Sequence, residues 1–295
     1  MAMKKRTRNL LIALFVVIIL AGALAALVLL VPKAPEENSS SGTESYTLYQ
    51  QSTAALDHVE IANTLDTFTV RKTGSDTWTI EGLEAFTMRE DFMESVIKTA
   101  AALTAIDKVG DNITDMVQYG LDQPSSRVTA HFKDGTSKTF EIGGQVPGEN
   151  KYYVRLAGEN SVYVISNTYM TYFLKAQTDF VSAEITPVNE SGLTIENATF
   201  SGTCRPAPIV LRRATDEEVQ ADPTLKYNVY RVISPHEGGV DFDRGGRFIQ
   251  YVNGMMGEGV VAIKPTAEDM AKYGLDNPYS VVEYKASEGQ SVKLS

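Results

Sequence analysis

The sequence is poor in reactive side chains. Among 295 residues there is one cysteine, Cys204, and there are three histidines, His58, His131 and His236. A single cysteine excludes an intramolecular disulfide, so the fold rests on its core. With no His/Asn constellation beside it, Cys204 reads as a structural thiol. The histidines are far apart in the chain and form no H-x-x-x-H or H-E-x-x-H pattern, so no metal site is expected from them. A phosphate-cradling glycine loop and a G-x-S-x-G elbow are also missing. "DFDRGGR" (Asp241 to Arg247) has acids and glycines but lacks the later Glu of a calcium loop; it reads as a turn and helix start. No residue is assigned a catalytic role, no ligand-binding residue is named, and no metal or cofactor is expected.

Positive charge is scarce too. Lys and Arg number 27 against 37 Asp and Glu, a net charge of −10. Four of the positive charges, Lys4, Lys5, Arg6 and Arg8, stand in the first nine residues, and without them the remainder carries −14. A body that acidic repels phosphate-rich partners, so nucleic acid is not expected among them.

Long apolar runs are absent except for one. Leu10 to Val31, "LLIALFVVIILAGALAALVLLV", has no charge. As a helix it would be about 33 Å long, enough to cross a bilayer core. A processed signal peptide has a shorter apolar region of roughly 7–15 residues, and here apolar residues continue past the small-residue stretch Ala21 to Ala25. The expectation is therefore an uncleaved signal anchor over 10–31 and a cytoplasmic basic tail over 1–9. By the positive-inside rule the rest lies outside the cytoplasm, on a single-pass cell-membrane protein. "PKAPEENSSSGTES" has no apolar period, and residues 32–50 read as a flexible stalk.

The body mixes two periods. "HVEIANT", "DTFTVRKTG" and "DTWTIEG" alternate as strands. Met88 to Leu103 changes period, with Phe92, Met93, Val96, Ile97, Ala100 and Leu103 on one helical stripe. "AIDKV" reads as a strand and Asn112 to Tyr119 as a short helix. "SRVTAHFKDG", "SKTFEIGG", "KYYVRLAG" and "SVYVIS" read as strands, and "NTYMTYFLKAQ" as a helix. Further on, "LTIENATFSG", "PIVLRRA", "YNVYRVIS", "VVAIK" and the final hairpin are strand-like, while Arg247 to Met256 and Thr266 to Tyr273 are helical. The acidic run Asp216-Glu217-Glu218 reads as a solvated loop. Tyr152, Tyr153, Tyr163, Tyr169, Tyr172 and Phe173 could line a binding surface, but alternating strand positions favour packing.

One decapeptide occurs twice. "DMVQYGLDQP" spans Asp115 to Pro124 and "DMAKYGLDNP" spans Asp269 to Pro278, 154 positions later. Asn112 and Thr266 align as N-caps, each with an Asp three residues on, Asp115 or Asp269. Gly120 suits a left-handed C′ position, Leu121 packs back on the helix, and Pro124 forces an extended start to the next strand. Asp122 and Asp276 could instead be acids or ligands, but no second acid or His recurs at a ligand spacing. The motif thus reads as a helix stop in a duplicated unit. The expected class is α+β: a single transmembrane helix, then two tandem repeats of mixed, mainly antiparallel sheet with packed helices, over 51–185 and 186–295. The order of elements breaks off inside a strand at Ser295, so the second repeat is expected to be truncated.

"DTWTIEG" before a helix, "YGLDQP", a strand pair ending in "FEIGG", "KYYVRLAG" and "SVYVIS" together resemble the domain of unknown function 4340 family, well over residues 57–180 and less well over 193–295. Trp78 has no Trp counterpart in the second unit, where Tyr230 or Val232 takes its place. The resemblance implies a membrane-anchored extracytoplasmic protein related to auxiliary, non-ATPase subunits of gliding-motility-type ABC transporter systems. It carries no catalytic residues. The expected function is a non-enzymatic binding or interaction module of the bacterial cell envelope, with a transporter permease or another envelope protein as partner. The alternative is a cell-envelope hydrolase with a dispersed acidic site.

Overall fold

The computed structural model describes residues 45–189, 192–226, 229–287 and 289–295. The basic tail, the apolar run Leu10 to Val31 and the stalk up to residue 44 lie outside them. Among the described residues no helix is long and apolar enough to cross a membrane.

Strand β1 (Tyr46–Gln50) falls inside the segment expected to be stalk. Its alternation is too short to stand out, and its partner is distant. β2 (Leu56–Asn63), β3 (Thr67–Lys72) and β4 (Trp78–Ile80) follow, then helix α1 (Glu90–Ala101). Met93, Val96, Ile97 and Ala100 are buried on one face of α1, as their spacing requires. Leu103 is not on that face. The chain turns extended at Ala102, and β5 (Ala102–Ala105) pairs with β1. Tyr49 Oη donates to Ala100 O at 3.0 Å and ties the two together. "AIDKV" is thus divided between β5 and a separate β6 (Asp107–Gly110).

β7 (Ser126–Phe132), β8 (Ser137–Gln145), β9 (Lys151–Leu156) and β10 (Val162–Ser166) complete an eight-stranded antiparallel sheet in the order β4-β3-β2-β7-β8-β9-β10-β6. Period-2 alternation assigns its faces. Val59, Ile61, Phe68, Val70, Val128, Ala130, Phe132, Phe140 and Ile142 are buried with α1 in one core. The expected terminal helix is a short helix, α2 (Asn167–Met170), followed by tight turns that bring Phe173 and Phe180 into that core. The other face carries His58, Glu60, Thr69, Arg71, Arg127, Thr129, His131, Thr139 and Glu141.

The second half contains β11 (Ile195–Ser201), β12 (Ile209–Arg213), α3 (Asp216–Ala221), β13 (Tyr230–Ser234) and β14 (Gly238–Gly239). α4 (Phe242–Val252), α5 (Ala267–Lys272), β15 (Val281–Ala286) and β16 (Ser291–Leu294) follow. The sheet order is β14-β13-β12-β11-β15-β16. Matching β13, β12, β11, β15 and β16 to β4, β3, β2, β7 and β8 gives the same order in both sheets. The fold is mixed α+β with large antiparallel sheets and few helices.

Two further segments depart from their local pattern. Asp216-Glu217-Glu218 is not a loop but the first turn of α3. Thr215 Oγ1 accepts from Glu218 N at 3.3 Å, and Glu218 accepts back from Thr215 N at 2.9 Å. "VVAIK" is not a strand. Its counterpart β6 pairs with β10, whereas among the described residues "VVAIK" pairs with no strand. Val260 and Ile263 pack on the first core instead, and Lys264 Nζ donates to Gly82 O at 3.2 Å. The join between the halves is also held: Thr186 Oγ1 donates to Val252 O at 2.6 Å and accepts from Met255 N at 2.9 Å.

Candidate functional site

The decapeptide is the first candidate, and its geometry is that of a helix stop in both copies. Leu121 N donates to Met116 O at 3.1 Å and Gly120 N to Val117 O at 2.9 Å; Leu275 N donates to Met270 O at 2.8 Å and Gly274 N to Ala271 O at 3.1 Å. These are the two bonds of a Schellman closure. Gly120 and Gly274 have φ of 64° and 71°, in the left-handed region. Thr266 and Asp269 form the expected capping box. In the first copy the cap differs: Asn112 has φ 54°, Asp115 Oδ1 accepts from Val117 N, and the helix shrinks to a 3-10 turn, Val117–Tyr119. Asp122 and Asp276 are exposed, and among the described residues neither joins a cluster of potential metal ligands.

The first copy also explains "FEIGG". A Cβ on Gly143 would lie 2.2 Å from Tyr119 O, and one on Gly120 would lie 2.8 Å from Gly144 N. β8 therefore passes directly against the turn, which only glycines permit. The tyrosine cluster disperses. Phe173 is fully buried, Tyr172 packs on Phe92, Tyr163 on Tyr46 and Tyr153 on Tyr119, while Tyr169 is exposed. Tyr152, Tyr163 and Tyr172 pack against the first core, as their strand and helix positions favour. Cys204 is a partly buried free thiol.

A cleft of about 900 Å³ lies between the β3–β4 hairpin and α1. Trp78, Phe86, Met88, Met93 and Ile97 supply its apolar lining. Asp76, Glu84, Glu90 and Glu94 against Lys72 and Lys98 leave its rim net acidic. Local sequence builds it. The Gly74-Ser75-Asp76 turn returns the chain so that Thr73 N bonds Thr77 O at 2.9 Å, and Trp78 opens β4 with Lys72 Nζ 5.8 Å from its ring centre. β4 ends the sheet, and Trp78 and Thr79 lie in the cleft wall. In the second half the matching place between β13 and α4 is filled: Tyr230 is buried, and its ring lies 3.5 Å from where a Cβ on Gly245 would stand.

On the sheet's polar face a second group assembles. β2 and β7 pair with His58 opposite His131. The rings stack with centres 4.2 Å apart and 9° between planes. Glu60, two residues along β2, shares this face; its carboxylate is 3.9 Å from His58 Nε2 and 3.4 Å from His131 Nε2. The β2–β7 register slips between Leu56 and His58, which makes Asp57 the extra residue of a bulge. Neighbouring side chains, which would otherwise point to opposite faces, are thereby brought together. Asp57 Oδ2 and His58 Nδ1 are 2.7 Å apart. That bond holds the Asp57 carboxyl below the usual carboxylate range, with the His58, Arg71 and Lys133 charges adding to it. The three histidines are far apart in the chain. Two of them meet in space, because antiparallel pairing joins positions 73 apart in the chain; His236 is exposed elsewhere. The available signal was His58-Val59-Glu60, an i, i+2 pair on one strand face.

Residues 78–278 match the family described as Domain of unknown function (DUF4340). The chain belongs to that family. The DUF4340 match begins at Trp78 in the cleft wall, spans α1 and both Schellman turns, and ends at the proline of the second decapeptide. No curated protein and no solved structure matches the chain.

Proposed function

We propose that this DUF4340 protein is a membrane-anchored extracytoplasmic module that works by contact, as an accessory of an ABC-type transport or cell-envelope complex. The observation that carries the reading is the cleft beside β4. A strand at the end of a sheet, next to an aromatic and aliphatic lining with a charged rim, suits an extended segment of another protein. Main-chain hydrogen bonds would supply affinity, and the apolar lining would select side chains. A hydrolase with a dispersed site would gather polar side chains from both halves, whereas this cleft is lined by residues of the first half alone. The apolar run Leu10 to Val31 and its basic flank support the anchor and the orientation. Anchoring raises the effective concentration at membrane partners.

The test is a photo-crosslinking residue at Thr77 in the full-length chain at native expression. A permease or ATPase subunit should be captured, and Trp78→Ala should reduce capture at least fivefold. Finding no membrane-protein partner, together with turnover of an envelope substrate by the purified chain, would overturn the proposal. Ser41→Cys should be labelled by an impermeant reagent on intact cells; labelling only after lysis would reverse the topology.

A further inference from the structure

The polar face of the eight-stranded sheet carries a constellation that partner contact at the cleft does not use. We infer that His58, Glu60 and His131 bind a divalent transition-metal ion of the zinc class, with Asp57 positioning His58. The donor set selects the ion. Two imidazoles and one carboxylate match zinc and its neighbours, whereas calcium and magnesium require oxygen shells.

The geometry is close to what coordination requires. The three donor atoms all lie within 4.8 Å of one another. Around a tetrahedral ion with bonds of about 2.1 Å, donors stand about 3.4 Å apart. The Glu60 carboxylate is already 3.4 Å from His131 Nε2 and 3.9 Å from His58 Nε2. The rings stack with 9° between their planes, so coordination requires them to turn about their side-chain bonds until both nitrogens face one point.

Two further observations point to a ligand. His131 Nε2 is shielded from solvent and makes no hydrogen bond, although the Glu60 carboxylate stands 3.4 Å away. The bulge at Asp57 places a carboxylate on His58 Nδ1 at 2.7 Å. An ionised carboxylate can only accept, so Nδ1 is the donor in this bond, which leaves Nε2 as the nitrogen through which the ring would bind a metal. This is the carboxylate–histidine arrangement that orients metal ligands. Glu60 is more than half exposed, so three protein donors leave a coordination position open to solvent, for water or for a donor from a partner.

The experiment uses the full-length chain and the ions alone. Zn²⁺ binding is measured by competition with a chromophoric chelator, and Co²⁺ binding by the visible bands of a four- or five-coordinate site. One ion per chain is expected. His58→Ala combined with His131→Ala should weaken Zn²⁺ binding at least 100-fold and abolish the Co²⁺ bands, and Asp57→Asn should weaken it about tenfold. Thermal unfolding should show Zn²⁺ raising the wild-type midpoint but not that of the double variant. If the double variant does not fold, Glu60→Gln, on the exposed side, decides in its place. Absence of saturable Co²⁺ bands in the wild type, or unchanged Zn²⁺ affinity in whichever of these variants folds, would overturn the inference. Neither result bears on partner capture at Trp78.

Discussion

Substituting the motif glycines separates two contributions that the sequence presents as identical. Gly120 and Gly274 occupy the same place in the repeated decapeptide, and both are left-handed. Alanine at either should cost about 1–2 kcal/mol from backbone conformation alone. Their surroundings differ. A Cβ on Gly120 stands 2.8 Å from the Gly144 backbone nitrogen, whereas around Gly274 nothing lies within 4 Å. Backbone has no rotamer with which to retreat, so the overpacking term of about 1–3 kcal/mol applies to Gly120 only. Gly120→Ala should therefore destabilise by about 2–5 kcal/mol and Gly274→Ala by about 1–2 kcal/mol. Gly143→Ala has ordinary backbone dihedrals in β8 but a 2.2 Å clash with Tyr119 O, and should lose about 2 kcal/mol or more from packing alone. Asn accepts the left-handed region, so Gly274→Asn should recover most of the loss at that site. Urea unfolding of the three alanine variants at one protein concentration reads the differences. Equal losses at Gly120 and Gly274, or a Gly143→Ala variant within 0.5 kcal/mol of wild type, would refute the close approach of β8 to the turn.

Other consequences can be checked separately. Glu218 is held down to about 2 from 4.5, first by hydrogen bonds from Arg212 at 2.6 and 2.7 Å and then by Thr215 N. A depressed folded-state value means stability present above pH 4.5 and lost as pH falls toward 2, so α3 should loosen across that window. A carboxyl titration by NMR should place the Glu218 midpoint near 2, and Arg212→Ala should return it toward 4.5. Glu141 is buried between Arg127 and Arg155, with Arg155 Nε at 2.6 Å. Arg155→Ala should cost about 3 kcal/mol in chemical denaturation because it weakens the compensation of a buried charge, and Arg127→Ala, at a more exposed residue, should cost less. Thr266→Ala removes the cap of α5 and should lower stability by about 1 kcal/mol, with Thr266→Asn restoring it.

Whatever depends on neighbours in the chain was legible in the residues alone. Most period-2 runs became strands, and the stripe Met93, Val96, Ile97, Ala100 became the buried face of α1. Tyr-Gly-Leu ended both short helices because a left-handed glycine and a returning leucine need only the preceding turn. Tertiary structure decided what depends on distant pairing. β1 has a role only because β5 lies beside it, and "VVAIK", which forms no strand among the described residues, packs Val260 and Ile263 on the first core. "FEIGG" acquired its meaning from the backbone of Tyr119 passing within van der Waals contact. His58 and His131 became one cluster through the β2–β7 register, and Asp57 joined them through a single inserted residue. A one-residue bulge leaves almost no mark on composition or periodicity, yet it moves a side chain from one face of a sheet to the other.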